Sequence, residues 1–140
     1  KMPRVYPILL LDQRGSGLGQ LAAAIGRHSF PGSAQFTVAT PAGSDKPSPD
    51  LLEFLGTTGL PESGLETEPL EALAHDFSSY VVLVAINGKV ADYVGKVPFH
   101  SSARNWSIPA GADRAEQYRA LRREITDLVT LLAGETPEQG

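Results

Sequence analysis

The eight residues from Asp12 to Gly19 combine an acid, a base, a hydroxyl group and three glycines, directly after the apolar run 8–11. Where a strand enters a glycine-rich turn and then a helix, backbone N–H groups surround the turn and the helix dipole favours negative charge there. The backbone of this loop therefore predicts an anion cradle. The carboxylate of Asp12 opposes that use, because two unit negative charges about 4 Å apart repel by roughly 4 kcal/mol at an effective dielectric near 20.

Two interpretations of this loop are open. In the first, the Asp12 carboxylate takes the place of a bound anion and accepts hydrogen bonds from the N–H groups of residues 15–18. In the second, a ligand binds, Arg14 neutralises Asp12 or contacts the ligand, and the glycines allow close approach to the backbone. A nucleotide fits less well than a small anion, since the glycine spacing departs from Gly-x-Gly-x-x-Gly. The candidate ligand-binding residues of the loop are Asp12, Gln13, Arg14, Gly15, Ser16 and Gly17.

Residues 99–106 form a second polar and aromatic region, which contains the single tryptophan of the chain. They follow a short apolar run at 97–99 that we predict to be a strand, so they are expected at the same sheet edge as the glycine loop. The alternative is a loop packed down by its aromatic side chains. A serine hydrolase site is disfavoured, because neither Ser16 nor Ser101 lies in a nucleophile-elbow motif. The candidate ligand-binding residues here are His100, Ser101, Arg104 and Trp106.

Composition narrows the classes of function. The chain has 140 residues, 41% of them hydrophobic, and we predict one domain over 1–134 and a flexible tail over 135–140. A net charge of −4 with scattered basic residues argues against nucleic acids and anionic membranes as partners. The chain has no cysteine and its three histidines are far apart, so we expect neither a metal nor another cofactor. No apolar run approaches the roughly 20 residues of a membrane helix, and we expect a cytoplasmic protein.

The apolar pattern predicts an α/β fold. Near-continuous or short apolar runs, typical of parallel strands, predict a four-stranded sheet from segments 5–11, 36–39, 80–86 and 97–99. Helical spacing and capping signals predict four helices, over 18–26, from the cap Ser48, over 68–75 and from the cap Asp113. The order of these elements predicts a three-layer sandwich with a mostly parallel sheet flanked by helices.

This pattern resembles the low-molecular-weight protein tyrosine phosphatases and the thioredoxin-type arsenate reductases that share their fold. In that family an apolar first strand ends in a loop with a cysteine, five residues, an arginine and a serine or threonine, and a helix follows. Residues 8–11 match the strand and residues 21–24 match the helix. The resemblance places Asp12 at the nucleophile, Leu18 at the arginine and Gly19 at the hydroxyl residue, so all three family side chains are replaced.

The family's general acid is an aspartate in a late loop. Residues 105–111 resemble the arsenate-reductase version of that loop, with Ala110 at the position of the acid, while Asp113 is assigned to a helix cap. Phosphate-ester hydrolysis through a covalent intermediate needs a nucleophile, a cation and an acid. We therefore predict no catalytic residues and a pseudo-phosphatase: a regulatory or protein-interaction domain that binds a protein partner or a second copy. A domain that senses a small anion or a nucleotide is the alternative, and a residual phosphatase or arsenate reductase is the third.

Overall fold

Five parallel strands form one sheet in the computed structural model, which describes residues 5–111 and 113–133. In chain order the strands are β1 (Tyr6–Leu11), β2 (Ala34–Thr40), β3 (Glu68–Pro69), β4 (Val82–Ile86) and β5 (Ser102–Trp106). Their order across the sheet is β3-β2-β1-β4-β5, and every neighbouring pair is parallel. The predicted α/β fold is confirmed, with five strands instead of four. The predicted tail at 135–140 lies outside the described residues.

Helices cover both faces of this sheet. They are α1 (Leu18–Ser29), α2 (Pro49–Thr58), α3 (Val90–Val94) and α4 (Arg114–Ala133), with 3₁₀ turns at Leu70–Leu73 and Phe77–Ser79. The larger core lies between the sheet and α1, α2 and α4, and it includes Ile8, Leu21, Leu55 and Leu121. A smaller core on the opposite face gathers Leu9, Leu83 and Val90. None of the helices among residues 5–111 and 113–133 is long and apolar enough to cross a membrane.

Both predicted helix caps are present. The Ser48 hydroxyl accepts a hydrogen bond from the Leu51 N–H at 3.4 Å, and Asp113 Oδ1 accepts one from the Glu116 N–H at 2.8 Å. The predicted end of α1 near Gly26 is wrong, because the helix continues to Ser29. A Cβ at Gly26 would collide with the Phe36 ring, so this glycine allows the helix to pack closely on β2 and does not terminate it.

Two other predicted elements differ from the structure. Residues 97–99 are not a strand: the last strand is β5, in which the first four of five residues are exposed and therefore lack an apolar pattern. Segment 68–75 is not one helix, because Glu68–Pro69 pairs with β2 before the chain enters a 3₁₀ turn. A strand of two residues is too short to show a period in the sequence.

Candidate functional site

The glycine loop lies at the carboxyl edge of the sheet. It connects the end of β1 to the start of α1, and Gly17 caps the helix with a φ of 75°, a left-handed conformation that favours glycine. Ligands in open parallel sheets bind beyond the carboxyl ends of the strands. The loop therefore has the position and the backbone form that the sequence predicts for an anion cradle.

The Asp12 side chain occupies the interior of this loop and is 3% exposed. Its Oδ2 atom accepts hydrogen bonds from the Gly19 N–H and from the Ser16 hydroxyl, each at 2.8 Å. Its Oδ1 atom accepts one from the Gln13 N–H, also at 2.8 Å. The Asp12 carboxyl group thus accepts hydrogen bonds from donors at the helix N-terminus that an external anion would otherwise use.

The donors are not the ones that the sequence predicts. Gly15 donates its N–H to Asp45 Oδ2 at 2.8 Å, and Leu18 donates its N–H to the Ser16 hydroxyl at 3.0 Å. The expectation that residues 15–18 supply backbone donors to Asp12 is therefore wrong for these two N–H groups. The Ser16 hydroxyl links Leu18 to Asp12, because it accepts a hydrogen bond from the Leu18 N–H and donates one to Asp12 Oδ2.

Burial raises the pKa of the Asp12 carboxyl group above its ordinary value of 3.8. The hydrogen bonds from Gly19, Ser16 and Gln13 act in the opposite direction, and the charge of Asp45 adds to the increase. Burial also raises the pKa of Tyr93, with a further contribution from the Asp12 charge; the Tyr93 hydroxyl accepts a hydrogen bond from Gln13 Nε2 at 2.8 Å. The loop is therefore a site in which negative charge is desolvated and held by a small number of donors.

This raised pKa gives the stability of the protein a definite pH dependence. The folded chain holds the Asp12 proton more tightly than the unfolded chain, so the contribution of Asp12 to stability falls as pH rises from 3.8 through the folded-state pKa. An Asp12→Asn variant lacks this titration. We expect the unfolding free energy of the wild type, minus that of Asp12→Asn, to decrease over this interval in urea titrations. A difference that grows with pH would contradict the stated direction.

Arg14 lies outside the cradle and does not neutralise Asp12. Its guanidinium contacts Asp45 Oδ1 through Nε at 3.1 Å and Nη2 at 3.0 Å, and it also donates to the carbonyls of Ala42 and Ser44. The side chain of Arg14 is 49% exposed. Of the two alternatives for Arg14, the one in which it neutralises Asp12 is wrong; Arg14 instead fixes the loop to the segment that follows β2.

Arg114, at the start of α4, holds the loop from the other side, a role that the sequence did not indicate. Its Nη1 donates to the Ser16 carbonyl at 3.2 Å and to Gln117 Oε1 at 3.1 Å, while Nε donates to Asp50 Oδ2 at 3.0 Å. A Cβ at Gly17 would lie 2.9 Å from its guanidinium. Asp45 and Arg114 together clamp the loop from two segments that are distant in sequence.

The second predicted region does not join the first. His100 and Ser101 precede β5 and lie at the amino edge of the sheet, where the Ser101 hydroxyl donates to the Tyr80 carbonyl at 2.6 Å. Arg104 is exposed in the middle of β5, and Trp106, which is buried, ends the strand. The expectation that these residues share one edge with the loop is wrong for His100, Ser101 and Arg104, because the strand begins five residues later than predicted; Trp106, at the carboxyl end of β5, does lie at that edge.

Within the described part of the chain, no group of three or more histidine, aspartate and glutamate side chains is arranged to hold a metal ion. The Asp12 carboxyl group has hydrogen-bond donors as neighbours, and Asp45, whose charge acts on Asp12, is itself engaged by Gly15 and Arg14. Backbone N–H and hydroxyl donors of this kind stabilise a negatively charged acceptor.

Comparison with solved structures defines the class of fold. The thioredoxin-dependent arsenate reductase of Corynebacterium glutamicum has a TM-score of 0.73 at 18% identity over 93% of this chain, which spans 64% of that protein's length. YfkJ from Bacillus subtilis has a TM-score of 0.75 at 12% identity, covering 94% of this chain and 97% of YfkJ. The arsenate reductase of Archaeoglobus fulgidus has a TM-score of 0.57 at 19% identity, covering 91% of this chain and 99% of that protein. The chain therefore has the α/β fold of arsenate reductases and low-molecular-weight phosphatases. By sequence it matches no family model and no curated protein.

Proposed function

We propose that this chain is a non-catalytic regulatory or protein-interaction domain, whose glycine loop is filled by its own aspartate. The observation that carries the proposal is the Asp12 carboxyl group, which is buried in the loop and accepts hydrogen bonds from the Gly19 N–H and the Ser16 hydroxyl. An oxyanion in the same place would compete with the carboxyl group for these donors and would be repelled by its charge.

The residues around the loop support the same conclusion. Leu18, which aligns with the family's arginine, is 4% exposed and belongs to the larger core, so its side chain packs against apolar neighbours. The two arginines near the loop, Arg14 and Arg114, are each paired with an aspartate. A covalent phosphoryl-transfer cycle needs a free nucleophile and a cation facing the equatorial oxygens. The engagement of Asp12 and Ser16 with each other, and of both arginines with aspartates, supports the proposal that neither role is filled in this loop.

The names of the structural neighbours favour a residual arsenate reductase as the competing activity. In the family that this sequence resembles, arsenate is reduced by cysteine thiols, and this chain contains no cysteine. The fold alone does not determine activity. We therefore propose that the chain acts by binding a partner with its surface, and not through chemistry in its glycine loop.

Assays of phosphatase and arsenate reductase activity test the proposal. We expect the purified chain to hydrolyse an aryl phosphate no faster than buffer does, and to reduce no arsenate with thioredoxin or glutathione as reductant. Asp12→Ala is the matched control, since a contaminating enzyme is indifferent to this substitution. Phosphatase or arsenate reductase activity that is present in the wild type and lost in Asp12→Ala would refute the proposal.

A domain that senses a small anion or a nucleotide is the second candidate, and a groove beside the loop favours it. The groove has a volume of about 480 Å³ and is lined by Ser16, Asp50, Gly111, Asp113, Arg114 and Gln117. Its two acidic side chains oppose an anion, which is why this candidate ranks second. A ligand at about 100 times its Kd adds roughly 2.7 kcal/mol and several degrees of melting temperature. A melting shift that Arg114→Ala abolishes would favour the sensor.

A further inference from the structure

The loop between α3 and β5 carries Phe99, the most exposed large apolar side chain among the residues that the structure describes. Phe99 is 93% exposed, compared with 68% for Leu131 and 50% for Val5. Single exposed apolar side chains are common on protein surfaces and need no special explanation. Phe99 differs from such residues because its turn and its ring are held in place and because a groove lies beside it.

Phe99 lies at the tip of a fixed turn. The Ser101 N–H donates to the Pro98 carbonyl at 3.0 Å, so Phe99 and His100 are the two central residues of the turn. The Ser101 hydroxyl ties this turn to the Tyr80 carbonyl at 2.6 Å. The rings of Phe99 and His100 meet edge to face, with their centroids 4.8 Å apart. A side chain that is already ordered in the free protein loses less conformational entropy when it binds.

A groove of about 250 Å³ lies next to Phe99, at the amino edge of the sheet. It is lined by residues 5–7, by residues 78–81 and by His100, whose ring contacts that of Phe99. All of these lining residues are at least partly exposed, so the groove is accessible from solvent. A cavity of about 150 Å³ holds a benzene ring. The groove therefore has room for a phenyl ring, and the exposed Phe99 of the same chain does not fill it.

The groove is free of full charges along its described lining. None of the described residues around it is an aspartate, glutamate, lysine or arginine. The chain as a whole has a net charge of −4, so two copies repel each other in most orientations. Contact through an uncharged surface avoids placing like charges opposite one another. At this surface a second copy meets no electrostatic opposition from the lining.

We propose that this surface is a homodimer contact, in which Phe99 of each copy enters the groove of the other. A projecting ring and a groove that lie side by side are self-complementary, because a single two-fold axis forms both contacts at once. A second copy supplies both the ring and the groove, whereas an unrelated partner would have to match each of them separately. The inference rests on the proposed function as an interaction domain, and it names the surface and the partner.

The size of the contact sets its strength. A phenylalanine side chain buries about 150–250 Å², so the two Phe99 rings bury roughly 300–500 Å². Stable protein interfaces bury about 1,200–2,000 Å² in total, and smaller ones are typical of transient complexes. We therefore expect a weak dimer that dissociates on dilution.

Dilution of the ¹⁵N-labelled full chain tests this inference. We expect the amide resonances of Tyr6, Tyr80 and Val81, which line the groove, to shift as the concentration rises from micromolar to millimolar. The mean mass by sedimentation equilibrium should rise above that of one chain over the same range. Constant resonances with the mass of a single chain at millimolar concentration would overturn the proposal. Shifts confined to residues outside the groove would also overturn it, because the copies then associate elsewhere.

Two alanine variants separate this contact from general stickiness. Phe99→Ala should weaken the association at least about tenfold, because the anchoring ring is lost twice in a symmetric dimer. The side chain is so exposed that the fold does not depend on it. Leu131→Ala is the matched control: Leu131 is also exposed but lines a different groove, and its loss should leave the association unchanged. Equal weakening in the two variants would overturn the proposed surface.

A charge placed in the groove gives a second variant that leaves Phe99 intact. Ser79 is exposed at the groove, and Ser79→Glu brings a carboxylate to the place where the partner's ring would bind. We expect this variant to be as monomeric as Phe99→Ala, and a dimer of wild-type strength would overturn the proposal. A monomeric wild type would leave the absence of turnover intact, whereas turnover would refute the proposed function without changing the mass of the dimer.

Discussion

Asp12→Ala is expected to lower the free energy of unfolding by about 2 to 3 kcal/mol near neutral pH. The substitution removes the acceptor of the Gly19 N–H and the Ser16 hydroxyl, and orphaned donors at buried positions cost roughly 1 to 3 kcal/mol each. Relief of the desolvated carboxyl group offsets part of this loss. Asp12→Asn retains one carbonyl oxygen and should lose less. Urea unfolding monitored by circular dichroism measures both values.

The control for this prediction is Asp76→Ala. Asp76 is exposed and its side chain does not cap the 3₁₀ turn that follows it, so its loss should change stability by less than about 0.5 kcal/mol. If Asp12→Ala is as stable as Asp76→Ala, the buried carboxyl group is not the group that holds the loop together. The account of the filled cradle would then be wrong.

Gly19→Ala is the second substitution with a large expected effect. A Cβ at this position would lie 2.6 Å from Val38 Cγ1 and 3.3 Å from Asp12 Oδ2. The Val38 side chain is buried and branched at Cβ, so it has little freedom to move away. Overpacking costs about 1 to 3 kcal/mol, against a gain of up to about 1 kcal/mol from helix propensity. We therefore expect a net loss of about 1 to 2 kcal/mol.

Gly32→Ala is the matched substitution for Gly19→Ala. A Cβ at Gly32 meets nothing within 4 Å and its φ is not left-handed, so stability should stay within about 0.5 kcal/mol of the wild type or rise slightly. If Gly19→Ala is as stable as Gly32→Ala, the Val38 side chain moves to accommodate the added Cβ atom and the predicted loss of stability is wrong. A side chain at position 19 would press on the Val38 side chain, which belongs to the larger core.

The central strands and the first and last helices could be predicted because their patterns are local and apolar. Residues 8–11 and 82–86 are fully buried, which gives an unbroken apolar run in the sequence. The edge strands could not be predicted, because β5 is mostly exposed and β3 has only two residues. Because the last strand was predicted at 97–99 and not at Ser102–Trp106, His100 and Ser101 were predicted at the wrong edge of the sheet.

The loop could be predicted from the sequence, and its partners could not. A strand followed by spaced glycines and a helix is a local pattern, and Asp12 stands out within it. Asp45 and Arg114 contact this loop from 30 and 98 residues away in the chain, with no motif of their own. Which N–H group binds Asp12 also depends on the Ser16 hydroxyl, whose orientation follows from the folded turn.

The most direct test of the filled cradle follows the backbone amides of residues 15–19 by NMR while arsenate and phosphate are added to the wild-type chain. The account predicts unchanged amide resonances in the wild type up to millimolar anion, because the N–H groups of Gly15, Leu18 and Gly19 already donate to Asp45, to the Ser16 hydroxyl and to Asp12. It predicts perturbation of the Gly19 amide in Asp12→Ala, where that donor is free. Saturable shifts of the Gly19 and Gly15 amides in the wild type would contradict the account and show that the loop still binds an oxyanion.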